Sequence, residues 1–149
     1  GESTPFYADD IVYYTDIANS GYEGSLELAL VPDDFKKDVL GYAADANGVL
    51  YEDADAPVVH FALLFEFDGD KHAKRHVLYN CTATRPAVGS NTKTATAEPQ
   101  TETINITATS VYNATISKNV VKASVTPTEA TQYNAWLTAV YQPTGTAST

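Results

Sequence analysis

Two histidines are spaced in a way that could support metal chemistry. His72 and His76 lie four residues apart, which on a helix would place both imidazoles on one face as metal ligands. They flank a predicted hairpin turn instead, where four residues of strand span roughly 13 Å, too far for one ion. The sequence therefore favours two solvent-exposed strand residues over a metal site.

Two acidic pairs, each separated by a single residue, are typical of the start of a calcium-binding loop. They are Asp53 with Asp55 and Asp68 with Asp70. A complete loop needs further oxygen ligands and a closing glutamate, and neither pair is followed by these residues. Asp and Gly are also common turn residues, because they tolerate backbone conformations that most residues avoid. Both pairs are therefore interpreted as turns.

The remaining candidates for catalysis are an acidic pair near the start of the chain and the single cysteine. Asp9 and Asp10 have no nearby His, Ser or further carboxylate to complete an acid–base mechanism. Cys81 is predicted on the inward side of a strand beside Val77 and Tyr79, where a thiol behaves as a small hydrophobic group. A single cysteine excludes an internal disulfide and suits a reducing cytoplasm. We expect no enzyme activity, no metal and no cofactor.

Length and charge limit the classes of protein that this chain could represent. Its 149 residues fit one domain, expected over 1–149. Nineteen acidic against nine basic residues give a net charge of −10, which argues against a surface that grips nucleic acid. No apolar run approaches the roughly 20 residues of a membrane span, so no membrane partner is expected. Because the chain has no Met and begins at Gly1, we interpret it as N-terminally truncated.

Alternation of apolar and polar residues predicts most of the strands, because successive side chains of a strand point to opposite faces of the sheet. Strands are expected at 25–30, 59–67, 74–83, 102–109, 114–117 and 120–125. The second has apolar residues on both faces, so we expect it inside the sheet, and a tight turn joins it to the third as a hairpin. The strand residues predicted in the core are Leu26, Leu28, Phe61, Leu63, Phe65, Val77, Tyr79, Ile104 and Ile106.

Two helices interrupt this pattern. The first is predicted at 32–40, with Pro at its first position, acidic residues in its first turn, and Phe35 and Val39 on its buried face. The second is predicted at 127–142 and ends before a proline. Its apolar residues assigned to the core are Trp136, Leu137 and Val140. The predicted fold is mainly β with two short helices, an α+β class.

A long polar segment at 85–99 has no apolar face, which is typical of a flexible loop or an extended hairpin arm. Because the two strands that it joins do not need fifteen residues to connect, we interpret it as an assembly loop. The residues proposed to make its contacts are Arg85, Gly89, Asn91, Lys93 and Thr96. The small, polar residues at 144–149 are expected to form a flexible tail.

Several segments, taken in order along the chain, resemble the phi13-type phage major tail proteins. They are SGYEGSLEL at 20–28, LVPDDF at 30–35, NGVL at 47–50, FALLFEF at 61–67, RHVLYNC at 75–81 and VYQP at 140–143. The resemblance implies a two-sheet β-sandwich or open barrel of the tail tube type with a flanking helix. It also implies a structural subunit of the virion tail, assembled in the cytoplasm of the host bacterium.

The same resemblance implies partners. They are further copies of the chain in stacked, hexameric rings, together with the tape measure and tail terminator proteins. DNA would pass through the lumen without specific binding, which an acidic wall favours. The alternative is an immunoglobulin-like β-sandwich that acts as a binding or display module on a virion or cell surface. A tube subunit predicts rings and stacking, whereas a display module predicts a monomer that binds a receptor or glycan.

Overall fold

In the computed structural model, which describes residues 4–8, 11–17, 21–28, 31–67, 70–85 and 102–145, the chain forms eleven strands and two short helices. The strands are β1 (Thr4–Ala8), β2 (Ile11–Ile17), β3 (Gly21–Leu28), β4 (Tyr42–Ala44), β5 (Leu50–Glu52), β6 (Phe61–Glu66), β7 (Arg75–Ala83), β8 (Glu102–Thr109), β9 (Val111–Asn113), β10 (Lys118–Val120) and β11 (Lys122–Val125). The helices are α1 (Asp33–Asp38) and α2 (Ala130–Ala135). In this part of the chain no helix has the length and apolar character to cross a membrane.

Seven strands form one curled sheet in the order β1-β6-β7-β8-β3-β2, with β11 added beside β7. β1 runs parallel to β6, and the other neighbours are antiparallel. β7 has two partners on one side, because its first half pairs with β11 and its second half with β8. Two hairpins, β4–β5 and β9–β10, lie outside this sheet. The prediction of a mainly β fold with two short helices and an open barrel is confirmed.

The two faces of the sheet carry separate apolar clusters. The first, which we call the α1 cluster, consists of Leu26, Val31, Phe35, Val39, Leu40, Phe61, Leu63, Phe65, Leu78, Cys81, Ile104, Ile106 and Ala108. The second, the α2 cluster, consists of Ala62, Leu64, Val77, Tyr79, Val125 and Trp136. β6 contributes to both clusters, because the residues that alternate along it are buried on both faces. The side chain of Leu28 lies outside the described residues.

A β-bulge interrupts the pairing of β6 with β7. Phe61 pairs with Cys81 and Leu63 pairs with Leu78, so two steps along β6 match three along β7. The extra residue reverses the alternation, and Cys81 joins the α1 cluster whereas Tyr79 belongs to the α2 cluster. The expectation that these two side chains share a face is wrong, because it assumed an uninterrupted strand.

The helices are shorter than the sequence pattern predicted. α1 begins after Pro32 and buries Phe35, whose ring contacts that of Phe61 edge to face at 5.4 Å. α2 has six residues and ends near Trp136, where the Thr138 hydroxyl donates to the carbonyl oxygen of Ala135 at 2.7 Å. A hydroxyl bonded in this way competes with continued helical hydrogen bonding.

The early end of α2 changes the position of two residues assigned to the core. Leu137 is 38% exposed, so its assignment is wrong, because the tight turns after Trp136 replace the helical period that would have turned it inward. Val140 is half-buried and packs against the α2 cluster. Trp136 itself is buried, and its indole Nε1 donates to the carbonyl oxygen of His76 at 3.2 Å.

Candidate functional site

The connection between β7 and β8 is longer than their geometry requires. Ala83 pairs with Ile106, and the backbone N–H of Thr84 donates to the carbonyl oxygen of Asn105 at 2.9 Å. Antiparallel strands held this closely can be joined by a loop of roughly two to five residues. The chain instead leaves the pairing at Arg85 and returns at Glu102. Gly89, Asn91, Lys93 and Thr96, which the sequence assigned to assembly contacts, lie outside the described residues.

Arg85 is bound within its own subunit rather than free for a neighbour. Its Nε donates to the carbonyl oxygen of Leu40 at 3.1 Å, and its Nη2 donates to that of Asp53 at 2.8 Å. Its Nη1 also donates to Glu52 Oε2 at 3.3 Å. The guanidinium therefore joins the end of β7 to the end of α1 and to the β4–β5 hairpin. Among the proposed contact residues of the loop, the structure gives this one an internal role.

The returning end of the segment is anchored to the same elements. Glu102 Oε2 accepts from the backbone N–H of Val31 at 3.2 Å and lies 3.9 Å from Lys36 Nζ. Lys36 Nζ lies 5.7 Å from the ring centroid of Tyr42, whose hydroxyl donates to Glu52 Oε1 at 2.6 Å. We call Arg85, Glu52, Tyr42, Lys36 and Glu102 the loop base.

The phenol of Tyr42 serves the loop base as a hydrogen-bond donor. Burial, together with the hydrogen bond to Glu52, raises the pKa of Tyr42 to about 12. The phenol therefore keeps its proton across the physiological range. Next to it, Gly41 has a φ of 80°, and a Cβ there would lie 2.8 Å from that of Ala56. A glycine is thus needed for α1 and the segment after β5 to approach each other.

A cleft of about 320 Å³ opens beside the loop base. Its lining combines the end of α1, the segment before β6 and the end of β7. The lining residues are Val39, Leu40, Gly41, Ala56, Pro57, Val58, Val59, Ala83, Thr84 and Arg85. Val58 is 75% exposed at this cleft, and Val49 and Tyr51 of the adjoining hairpin are also exposed. An apolar surface of this kind is typical of a contact with another macromolecule.

The β9–β10 hairpin presents a second exposed apolar surface. Val111 is 41% exposed and Tyr112 is 61% exposed. Residues 114–117, which the sequence predicted as a strand, form the turn of this hairpin. The prediction is wrong because Asn113 Oδ1 accepts from the backbone N–H groups of Thr115 and Ile116, which folds the chain into an Asx-type turn.

Comparison of the sequence with known protein families identifies the family to which this chain belongs. The sequence model of a family described as phage tail tube protein matches residues 1–143. The chain belongs to the phage tail tube protein family. Searches among curated proteins and among solved structures gave no match. The family consists of structural proteins of the virion tail, so the resemblance to phage major tail proteins is confirmed.

The main sheet of this tail tube protein has two open edges. Among the described strands, β1 pairs with β6 alone and β2 pairs with β3 alone. An edge strand leaves one row of backbone N–H and C=O groups unpaired, and such a row can pair with a strand of another chain. The two edges differ in sequence and in the direction of their pairing, so they are two distinct surfaces.

Of the acidic residues considered for calcium, Asp68 lies outside the described residues, and the carboxylates of Asp53 and Asp70 accept hydrogen bonds in turns of this tail tube protein. Asp53 Oδ1 accepts from the backbone N–H of Asp55 at 2.9 Å. Asp70 accepts from the backbone N–H groups of His72 and Lys74 at 2.9 and 3.2 Å, which lowers the pKa of its carboxyl. No group of three or more His, Cys, Asp or Glu side chains that could hold a metal occurs among the residues with described structure.

The two histidines have different surroundings. His72 is exposed in the turn before β7, whereas His76 is only 6% exposed. The His76 ring stacks on Phe65 at 5.0 Å and meets Phe67 edge to face at 5.4 Å. The expectation of an exposed His76 is wrong, because β7 is buried on both faces. Burial lowers the pKa of His76 to about 4, so its imidazole is neutral at physiological pH.

Cys81 has no access to solvent. Burial raises the pKa of its thiol to about 12, so the thiolate form is scarce at neutral pH. The side chain fills space between β6 and β7 in the α1 cluster.

Proposed function

We propose that this chain forms stacked, hexameric rings that build a phage tail tube and that the lumen of this tube conducts DNA. The observation that carries the proposal is the pair of open edges, β1 and β2, on one curled sheet. A ring needs two different surfaces on each subunit that fit each other, because a head-to-tail contact can close after a fixed number of copies. Edge pairing between β1 and β2 of neighbouring copies would meet this requirement.

The loop base supports an assembly role for the segment 85–99. Residues at or near both ends of this segment make contacts inside the subunit, namely Arg85 where it begins and Glu102 three residues after it ends. A segment of this kind can pack against a neighbouring subunit or ring without disturbing the sheet that carries it.

The net charge of the chain supports a lumen that does not bind DNA. The chain carries a net charge of −10. A wall with the same sign of charge as DNA repels the phosphates, so the nucleic acid can move without being held. The further partners of such a tube are the tape measure and tail terminator proteins. The tube would assemble in the cytoplasm of the host bacterium and remain in the virion tail.

Family membership favours this proposal over a display module, because the matched family builds the tail tube. A structural role also requires no catalytic activity. The two functions differ in one measurable property, since a display module acts as a monomer whereas a tube subunit must associate with itself.

The experiment is to purify the protein and measure its mass by light scattering over a concentration series, with negative-stain microscopy of the same samples. We expect rings of six copies and, at higher concentration, tubes. A DNA-binding titration at physiological salt should show no binding. A protein that stays monomeric at the highest concentration and forms no rings would overturn the proposal, and rings of another size would overturn the hexamer alone.

A further inference from the structure

We propose that the β9–β10 hairpin of one copy docks into the cleft beside the loop base of a second copy. The inference rests on the proposed function, because it specifies one contact between neighbouring subunits. The two surfaces belong to the same chain and complement each other in apolar character and charge. The hairpin is an exposed projection, and the cleft is an exposed apolar depression.

The hairpin is held in one conformation before any contact forms. Asn113 Oδ1 fixes the turn, and its Nδ2 donates to the carbonyl oxygen of Pro143 at 3.2 Å. Tyr112 is paired with Asn119 across the hairpin, and its side chain is 61% exposed. A rigid element loses little conformational entropy on binding, and an exposed tyrosine on such an element is a common anchor of an interface.

The cleft provides an apolar receptor for this anchor. Val39 and Leu40 form its buried side, and Val58 stands 75% exposed at the opening. Its volume of about 320 Å³ is in the range of sites that enclose an aromatic group. Binding there would remove apolar surface of both partners from water, which is the main favourable contribution to association.

Charge is complementary between the two surfaces. The stretch 103–128, which contains the hairpin, has two lysines and no acidic residue. Lys122 lies over the ring of Tyr22 at 5.5 Å within its own subunit, so Lys118 is the exposed cation of the hairpin. On the cleft side, the exposed Asp55 accompanies the loop base, where the charge of Arg85 is compensated by an ion pair. We therefore place Lys118 of one copy near Asp55 of the next.

The contact is head-to-tail, because the hairpin and the cleft are different surfaces of one chain. Each copy can use its hairpin toward one neighbour and its cleft toward another. A contact of this type repeats around a ring or along a stack, and it does not end at a dimer.

Cysteine cross-linking can test this pairing directly. Tyr112→Cys and Val58→Cys variants are prepared separately, mixed and oxidised mildly. Cys81 will not interfere, because it is fully buried and its thiol pKa is about 12. We expect a disulfide-linked dimer in the mixture and none in either variant alone. Leu137→Cys, which is also exposed but lies outside both surfaces, serves as the matched partner that should not cross-link with Tyr112→Cys.

Charge variants provide the second part of the test. Lys118→Glu and Tyr112→Ala should each weaken self-association at least about tenfold, and Asp55→Lys should restore the association of Lys118→Glu. Lys71→Glu, an exposed lysine in the turn before β7, should leave association unchanged. Thermal melts of each variant establish that the fold is intact.

The outcomes separate this inference from the proposed function. The inference would be overturned if Tyr112→Ala formed rings normally and the mixture of Tyr112→Cys and Val58→Cys gave no specific cross-link. The proposed function as a tube subunit would not be affected by these results. Failure of the unmodified protein to form rings would overturn the proposed function, and the inference with it.

Discussion

Arg85 and Glu102 flank one long segment and are joined to each other through side chains of α1 and the β4–β5 hairpin. Arg85 bonds to Glu52, Glu52 accepts from Tyr42, and Lys36 lies between Tyr42 and Glu102. The segment between them thus leaves and re-enters the same surface. The base of the segment that we propose for assembly is therefore held by contacts within the subunit.

Removing residues 89–96 should leave the stability of the subunit almost unchanged. The loop base holds the residues on either side of the segment, and the closure entropy of a connection changes by only about 0.6 kcal/mol per doubling of its length. Thermal unfolding followed by circular dichroism measures this effect, and microscopy measures assembly. We expect a melting temperature close to that of the intact chain, with ring or tube formation slowed or lost. If the deletion unfolds the subunit, the segment is part of the sheet. If the deletion variant forms normal tubes, the segment only connects two strands and has no role in assembly.

Arg85→Lys should lower the free energy of unfolding by about 1 kcal/mol. The lysine keeps the charge but cannot donate to Leu40, Asp53 and Glu52 at once, because a single ammonium lacks the fork of the guanidinium. Urea denaturation gives the difference. Lys37→Arg on the exposed face of α1 is the control and should have no measurable effect. Equal stabilities for wild type and Arg85→Lys would show that the hydrogen bonds to the two carbonyl oxygens contribute nothing.

Phe35→Ala should cost about 3–5 kcal/mol, because it removes a buried aromatic ring from the α1 cluster and leaves a cavity against Phe61. Tyr51→Ala is a suitable comparison, since its side chain is 50% exposed and its loss should change stability by no more than roughly 0.5 kcal/mol. Both values come from chemical denaturation. If the two variants lost the same free energy of unfolding, the ring of Phe35 would not be packed between α1 and the sheet.

The sequence predicted those parts of the fold that depend on local pattern. Alternation along β8 places Ile104 and Ile106 in the α1 cluster, and the apolar residues on both faces of β6 indicated an interior strand. The bulge that turns Cys81 to the other face depends on how β7 pairs with β6. It could therefore not be predicted from the residue pattern of β7 alone. The exposure of Leu137 likewise follows from the turns after α2, where hydrogen bonds from Thr138 replace helical ones.

The candidate site was less accessible to sequence reasoning. Arg85 could be assigned to the long loop by composition, but its partners Leu40 and Asp53 lie 45 and 32 residues away. The contact between Glu102 and Val31 spans 71 residues. Such contacts depend on how α1 and the β4–β5 hairpin pack on the sheet. Two local features of the sequence pointed to this site: a charged residue, Arg85, at the start of a long polar segment, and a glycine, Gly41, at the end of a predicted helix.

Acidification from pH 6.5 to pH 4 should destabilise the subunit through His76. The pKa of this imidazole is lowered to about 4 in the folded protein. Burial is the main cause, the charges of Lys122 and Lys74 contribute in the same direction, and those of Asp70 and Glu66 act in the opposite direction. The unfolded chain binds a proton near pH 6.5 and the folded chain does not, so stability is full above pH 6.5 and falls as the pH approaches 4.

The expected loss across this window is roughly 2 kcal/mol, a value reduced from full linkage for solvent screening. Urea denaturation between pH 7 and pH 4 measures it. His76→Phe should flatten this dependence, because a neutral ring of similar shape can remain between Phe65 and Phe67. His72→Gln, which removes an exposed histidine from the same turn, should leave the dependence as it is in the wild type. If stability fell equally in all three proteins, other groups would be responsible, and the buried imidazole would have no part in the acid sensitivity of the subunit.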